Sequence, residues 1–130
     1  MNNVISQSSH IVAEIQKMAG LDKRLVFVSG NFNTLHPGHM RLLQFASECG
    51  DFLVVGVANN DAKGVMVQEE LRLDGVRIIS FVDYAFILNT SPKLFIKELK
   101  PQVVVRGKEH EGYYNAEQSL VEGYGGKLLY

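Results

Sequence analysis

The most regular signal in the chain is a series of short, almost uninterrupted apolar runs separated by stretches with helical spacing. LVFVS at 25–29 and FLVVGVA at 52–58 are rich in β-branched residues, as are strands buried on both faces of a parallel sheet. Between them, residues 38–49 carry Leu42, Leu43, Ala46 and Cys49 at helical spacing, and Gly50 is placed to end that helix in a left-handed conformation. The unit 25–58 therefore predicts a right-handed βαβ crossover, which makes the sheet parallel.

Upstream, SSHIVAEIQKMA at 8–19 puts Ile11, Val12, Ile15, Met18 and Ala19 on one helical stripe, with Ser8 or Ser9 as N-cap and Gly20 as stop. Residues 1–24 thus form a helical extension, expected to cover a sheet face or a partner chain through Ile11, Ile15 and Met18. Downstream, the pattern predicts a helix over 69–80 despite Gly75, a strand at 84–88 and a fourth strand at 102–107. Between the last two, Ser91 caps a short helix with Pro92 at its first position and Leu94, Phe95 and Leu99 inward, ended before Pro101. Asn115 and Gln118 resemble a capping box for a last helix to about Tyr124; Gly125 and Gly126 break it, and Lys127 to Tyr130 begin a fifth strand. The alternation is α/β throughout: a doubly wound, Rossmann-like parallel sheet of about five strands with the first at its centre.

Composition narrows what such a domain can do. A chain of 130 residues is one domain's worth. Thirteen basic against 14 acidic side chains, with no Lys/Arg-rich run, argue against a nucleic-acid partner held by phosphate contacts. The lone Cys49 excludes an internal disulfide framework and a multi-cysteine zinc site. No apolar run approaches the roughly 18–20 residues of a membrane span, and Met1 to His10 lacks the order of a signal peptide, so a soluble cytoplasmic protein without a membrane partner is expected.

Ligands of open parallel sheets collect beyond the carboxyl ends of the strands, so the turn after the first strand is where chemistry is expected. It runs Ser29-Gly30-Asn31-Phe32-Asn33-Thr34-Leu35-His36-Pro37-Gly38-His39. Neither a G-x-G-x-x-G fingerprint nor a Walker G-K-[ST] is present. If the second helix starts near Pro37, His36 and His39 share one face of its first turn, beside free N–H groups and the positive end of the dipole. Such a site suits phosphate and the added negative charge of a phosphoryl-transfer transition state, and Gly38 leaves room for close approach. The same pair also reads as a plain helix cap. A metal site is not expected, since no third ligand lies near. His10 and His110 have no partner pattern and read as surface residues.

G-N-F-N-x-x-H-x-G-H after an apolar strand resembles the G-x-F-D-x-x-H-x-G-H signature of the cytidylyltransferase-like nucleotidyltransferases, a superfamily with the HUP-type fold. Asn60-Asp61 stands where that family often has Ser-Asp or Thr-Asp. Glu70-x-Arg72 and Val82-Asp83 fall at the spacing of its E-x-R…V-D elements, and Lys100 to Gly107 is similar to its K-P-D-V-x-V-K-G stretch. Gly125-Gly126-Lys127 resembles the turn before its last core strand. The resemblance covers about 25–130 and is nearest to the glycerol-3-phosphate cytidylyltransferase and ADP-heptose synthase branch.

The resemblance implies an enzyme that joins CTP or ATP to a phosphorylated sugar or polyol and releases pyrophosphate, with Mg2+ carried mainly by the triphosphate; it leaves room for a homodimer. Carried over residue by residue, His36 and His39 hold the α-phosphate and its transition-state charge. Ser29, Gly30, Asn31, Phe32, Asn33 and Gly38 face the nucleotide. Asn33 occupies the family's Asp position and brings no charge, which bears on magnesium placement. Arg72 and Lys63 are phosphate or substrate candidates; Arg72 also reads as a solvated helix residue paired with Glu69 or Asp74, and Lys63 as a plain surface lysine. Arg106 and Gly107 line the base or substrate pocket, unless Arg106 is solvated. The family's hydroxyl-rich triphosphate segment after the fifth strand is not found before Tyr130. The rival expectations are a nucleotide-binding or assembly module without chemistry, and a doubly wound domain of unrelated function.

Overall fold

The computed structural model describes residues 2–33, 37–60, 67–107 and 116–130, with backbone alone at 2–7 and 116. In chain order the elements are α1 (Asn2–Ala19), β1 (Leu25–Gly30), α2 (Pro37–Glu48), β2 (Phe52–Ala58), α3 (Glu69–Arg77), β3 (Tyr84–Leu88), α4 (Pro92–Leu99), β4 (Val103–Val105), α5 (Ala116–Gly123) and β5 (Lys127–Leu129). The strands form one sheet in the order β3-β2-β1-β4-β5, and every neighbouring pair is parallel. β1 is central, as the sequence predicts.

Strand periodicity sorts the side chains into two cores. Leu25, Phe27, Val54, Phe86, Val104 and Leu128 face one side, where α1, α4 and α5 add Ile15, Phe95, Ile96 and Val121. Val26, Val28, Leu53, Val55, Val103 and Val105 face the other, against Leu43 and Ala46 of α2 and Leu73 and Val76 of α3. Burial on both faces is why these strands read as continuous apolar runs rather than alternating ones. Phe95 stacks obliquely against Phe27 and Phe86, at 5.1 and 4.7 Å between ring centroids. Among the described residues no helix is long and apolar enough to cross a membrane.

Several local expectations are corrected. α1 begins at Asn2, so Ser8 and Ser9 are mid-helix; instead of capping, their hydroxyls donate to the two carboxylate oxygens of Glu98, at 2.9 and 2.8 Å. Val12, Ile15 and Ala19 enter the core against a sheet face, but Met18 remains exposed. Gly20 does end α1 in a left-handed conformation, φ +81°. Gly50 does not do so for α2; it is glycine because the chain passes against Arg24 and Val26, to which an added Cβ would come within 2.6 Å. α3 stops at Arg77 rather than Ser80. In α4, Ser91 accepts the Leu94 amide and Pro92 opens the helix, but Leu94 is exposed. β4 is limited to Val103–Val105. Gln118 bonds Glu122 at 3.1 Å, while Asn115 lies outside the described residues.

Candidate functional site

The chain builds β1, β2 and β3 in one direction, then crosses back to place β4 on the other side of β1. Strand order therefore reverses between β1 and β4, and doubly wound sheets take their ligands beyond the carboxyl ends of the strands at such a reversal. The Gly30–Asn33 turn leaves β1 there, and Arg106 and Gly107 leave β4. α2 starts at Pro37, so its N-terminal end, with the first-turn N–H groups and the positive pole, follows directly from the same edge. Pro at the first helical position sacrifices no intrahelical hydrogen bond.

Within the turn, Phe32 adopts φ +52°, a left-handed conformation that costs a non-glycine residue about 1–2 kcal/mol. Such a conformation persists only where surroundings over-determine it. Phe32 is buried, its ring lies 5.8 Å from that of His39 at a 58° tilt, and it also packs beneath Gly30, where an added Cβ would stand 3.2 Å from Phe32 Cε2. The residues on either side of Phe32 are tied to the start of α3. Asn31 O accepts Nη1 of Arg72 at 2.8 Å, and Asn33 Oδ1 accepts the Val67 amide at 3.3 Å. His39, in the first turn of α2, is half-buried. His36 and Lys63 lie outside the described residues, as do Thr34 and Leu35.

Arg72 is not the solvated helix residue. It is 3% exposed, and its donors go to carbonyls: Nε to Val67 O at 2.6 Å and Nη1 to Ala58 O as well as Asn31 O, with Nη2 3.4 Å from Asn60 Oδ1. Glu69 pairs with Asn60 instead. Asp83, of the Val82-Asp83 pair, is a strand lock: its carboxylate accepts the Leu53 amide at 2.8 Å and its own amide donates to Leu53 O at 3.0 Å.

Arg106, which follows β4, is only partly exposed, and its Nη1 pairs with Glu117 of α5 at 3.3 Å. Glu117 carries no signal in the sequence that would single it out, since nothing local announces a partner across a turn. A groove of about 620 Å3 runs along β3 between α1 and α3, and none of Ser29 to Asn33, His39 or Arg106 lines it.

The family model described as cytidylyltransferase-like matches residues 27–126. The bifunctional protein HldE of Campylobacter curvus is 39% identical over 115 residues, 82% of this chain and 24% of its own length. That of Geotalea uraniireducens is 36% identical over 126 residues, 90% of this chain and 25% of its own. The chain thus spans about a quarter of the length of these curated relatives. Among solved structures, the lipopolysaccharide core biosynthesis protein from Thermoplasma volcanium superposes with a TM-score of 0.68 at 26% identity, covering 82% of this chain and 94% of that one.

Proposed function

The chain belongs to the cytidylyltransferase-like family, and from that premise we propose that it is a nucleotidyltransferase moving CMP or AMP from CTP or ATP onto a phosphorylated sugar or polyol. The observation that carries this reading is His39, in the first turn of α2, packed on Phe32 of the turn that leaves β1 beside the reversal of strand order. The similarity to a lipopolysaccharide core biosynthesis protein supports a sugar phosphate over a polyol phosphate as acceptor. The bifunctional relatives support this unit working beside another activity in longer proteins.

In the reaction, an oxygen of the acceptor's phosphate attacks the α-phosphorus in line. The bond from that phosphorus to the β-phosphate bridging oxygen breaks, pyrophosphate leaves, and the new bond is a phosphoanhydride. No side-chain nucleophile takes part. His36, His39 and the α2 N-terminus supply positive charge and hydrogen-bond donors to the equatorial oxygens as their charge grows, so catalysis is positioning plus electrostatic stabilisation.

The described residues do not make a resident magnesium site. Among the described residues no three His, Cys, Asp or Glu side chains converge, and the family's acidic position holds Asn33, a neutral amide whose oxygen accepts from Val67. We place magnesium on the triphosphate, as part of the substrate, because magnesium in such sites is held mainly by substrate phosphates and water. Pyrophosphate release measured with CTP and with ATP against a panel of aldose and polyol phosphates tests the reading; one triphosphate–acceptor pair turning over is the expected result. Asn33 favours one alternative, a module that binds nucleotide without chemistry, which predicts triphosphate binding and no pyrophosphate from any pair.

A further inference from the structure

We infer that Arg72 is a positioning residue for the transferase turn, holding the Gly30–Asn33 backbone in the shape that sets His39 against Phe32. The inference rests on the transferase reading for its kinetic consequence, but not for its geometry.

Three separate parts of the chain end on one guanidinium: the turn after β1 through Asn31 O, the end of β2 through Ala58 O, and the entry to α3 through Val67 O. Asn31 and Val67 lie outside the strands, and Ala58 is the last residue of β2, opposite Leu88 of β3. Asn33 adds a second strut to the same entry segment, through the Val67 amide. Phe32, the left-handed residue, is thereby held on both sides from α3, and its ring is what His39 packs on. A planar fork with five N–H groups can serve several acceptors in one plane at once. A lysine ammonium of the same charge cannot reproduce that geometry.

Arg72 touches no reacting atom; it acts through Asn31 and Phe32 on the placement of His39. In an electrostatic mechanism, donors must stand where charge develops, and a displacement near 1 Å costs on the order of 10²-fold in rate. Arg72→Lys is therefore expected to lower kcat by roughly 10- to 100-fold, while KM for the nucleotide changes less than about threefold. Ile96→Val, in the core on the opposite face of the sheet, also lowers stability and should keep kcat within about twofold, because a distant core change acts independently of the turn.

The experiment measures pyrophosphate release for wild type, Arg72→Lys and Ile96→Val, alongside the His39 ring signals of 13C-histidine-labelled protein without nucleotide. A kcat loss in Arg72→Lys that exceeds the Ile96→Val loss, together with shifted His39 signals, is the expected outcome. Unchanged kcat, unchanged His39 signals, or a loss confined to nucleotide KM would overturn the inference, the last by making Arg72 a direct phosphate ligand. If wild type releases no pyrophosphate with any substrate pair, the transferase reading falls, and the His39 signals alone decide whether Arg72 sets the turn.

Discussion

Asn60 and Glu69 are tied to each other twice: the Asn60 amide donates to Glu69 Oε1 at 3.0 Å, and the Glu69 amide donates to Asn60 Oδ1 at 2.9 Å. The pattern is that of a capping box, yet the two residues stand nine positions apart. Gln68, the residue in the N-cap position of α3, makes no side-chain cap; Asn60, two residues beyond β2, supplies it. Truncation in Asn60→Ala removes that cap and one acceptor near Arg72. We expect a loss of about 1–2 kcal/mol, read as a lower urea midpoint with unchanged slope.

His39→Ala tests where the turn's energy is spent. Its donors gain strength as charge develops on the α-phosphate, so the loss belongs mainly to the transition state. Turnover should fall on the order of 10²–10³-fold, with a much smaller change in triphosphate affinity by calorimetry. Equal losses in both would describe a phosphate clamp instead.

How much of this was legible follows from where the partners sit. The apolar strand cores and the Ser91–Pro92 helix start rest on signals within about ten residues, and the central place of β1 follows from the α/β alternation along the whole chain; the structure agrees with both. Ser8 and Ser9 look like caps because small hydroxyl residues often are; their partner Glu98 lies some ninety positions away. Arg72 has the sequence context of a ligand-facing arginine, but its partners are backbone carbonyls, which every residue carries and no motif marks. Gly50 has the position of a left-handed stop and is small for a different reason, the passage of another segment. The motif marks the turn after β1; nothing in it marks the carbonyls that Arg72 meets.

Asn33→Asp should be tolerated by the fold, because a carboxylate oxygen can accept the Val67 amide as the present amide oxygen does. It adds the hard anionic oxygen that magnesium favours. The expected result is a lower magnesium concentration for half-maximal pyrophosphate release, with thermal stability little changed. An unchanged magnesium requirement would mean that the charge at this position does not reach the metal-bearing triphosphate.

Tyr124 predicts an alkaline limit to stability. Its hydroxyl donates to Pro101 O at 2.6 Å, and burial pushes its pKa up to about 12 from an ordinary value of 10.0. The fold thus holds this proton more tightly than the unfolded chain does. The associated stabilisation is complete below pH 10 and drains away between 10 and about 12. Tyr84, raised to about 12 by burial and secondarily by the Glu14 carboxylate, acts in the same window and the same direction. Urea unfolding between pH 8 and pH 11.5, roughly that window, should show falling stability, and Tyr124→Phe should flatten the fall while costing about 1 kcal/mol at the lower pH.

Gly50→Ala probes the clamp between the α2–β2 turn and the entry to β1. Arg24 O accepts the amides of Asp51 and Phe52 at 2.8 and 3.2 Å, while the Arg24 amide donates to Asp51 Oδ2 at 2.9 Å and its Nε to Cys49 O at 3.1 Å. An added Cβ at Gly50 meets both Arg24 O and Val26 Cγ2 at 2.6 Å, and the carbonyl cannot retreat without loosening the bonds it accepts. The substitution should cost about 1–3 kcal/mol, the usual range for overpacking. Gly123→Ala is the matched comparison: at the end of α5 its Cβ meets nothing within 4 Å, and helix propensity favours alanine by up to about 1 kcal/mol. Opposite signs for the two substitutions in equilibrium unfolding would locate the cost in contact with Arg24 and Val26. A neutral Gly50→Ala would show that the turn yields and that the clamp does not fix the start of β1.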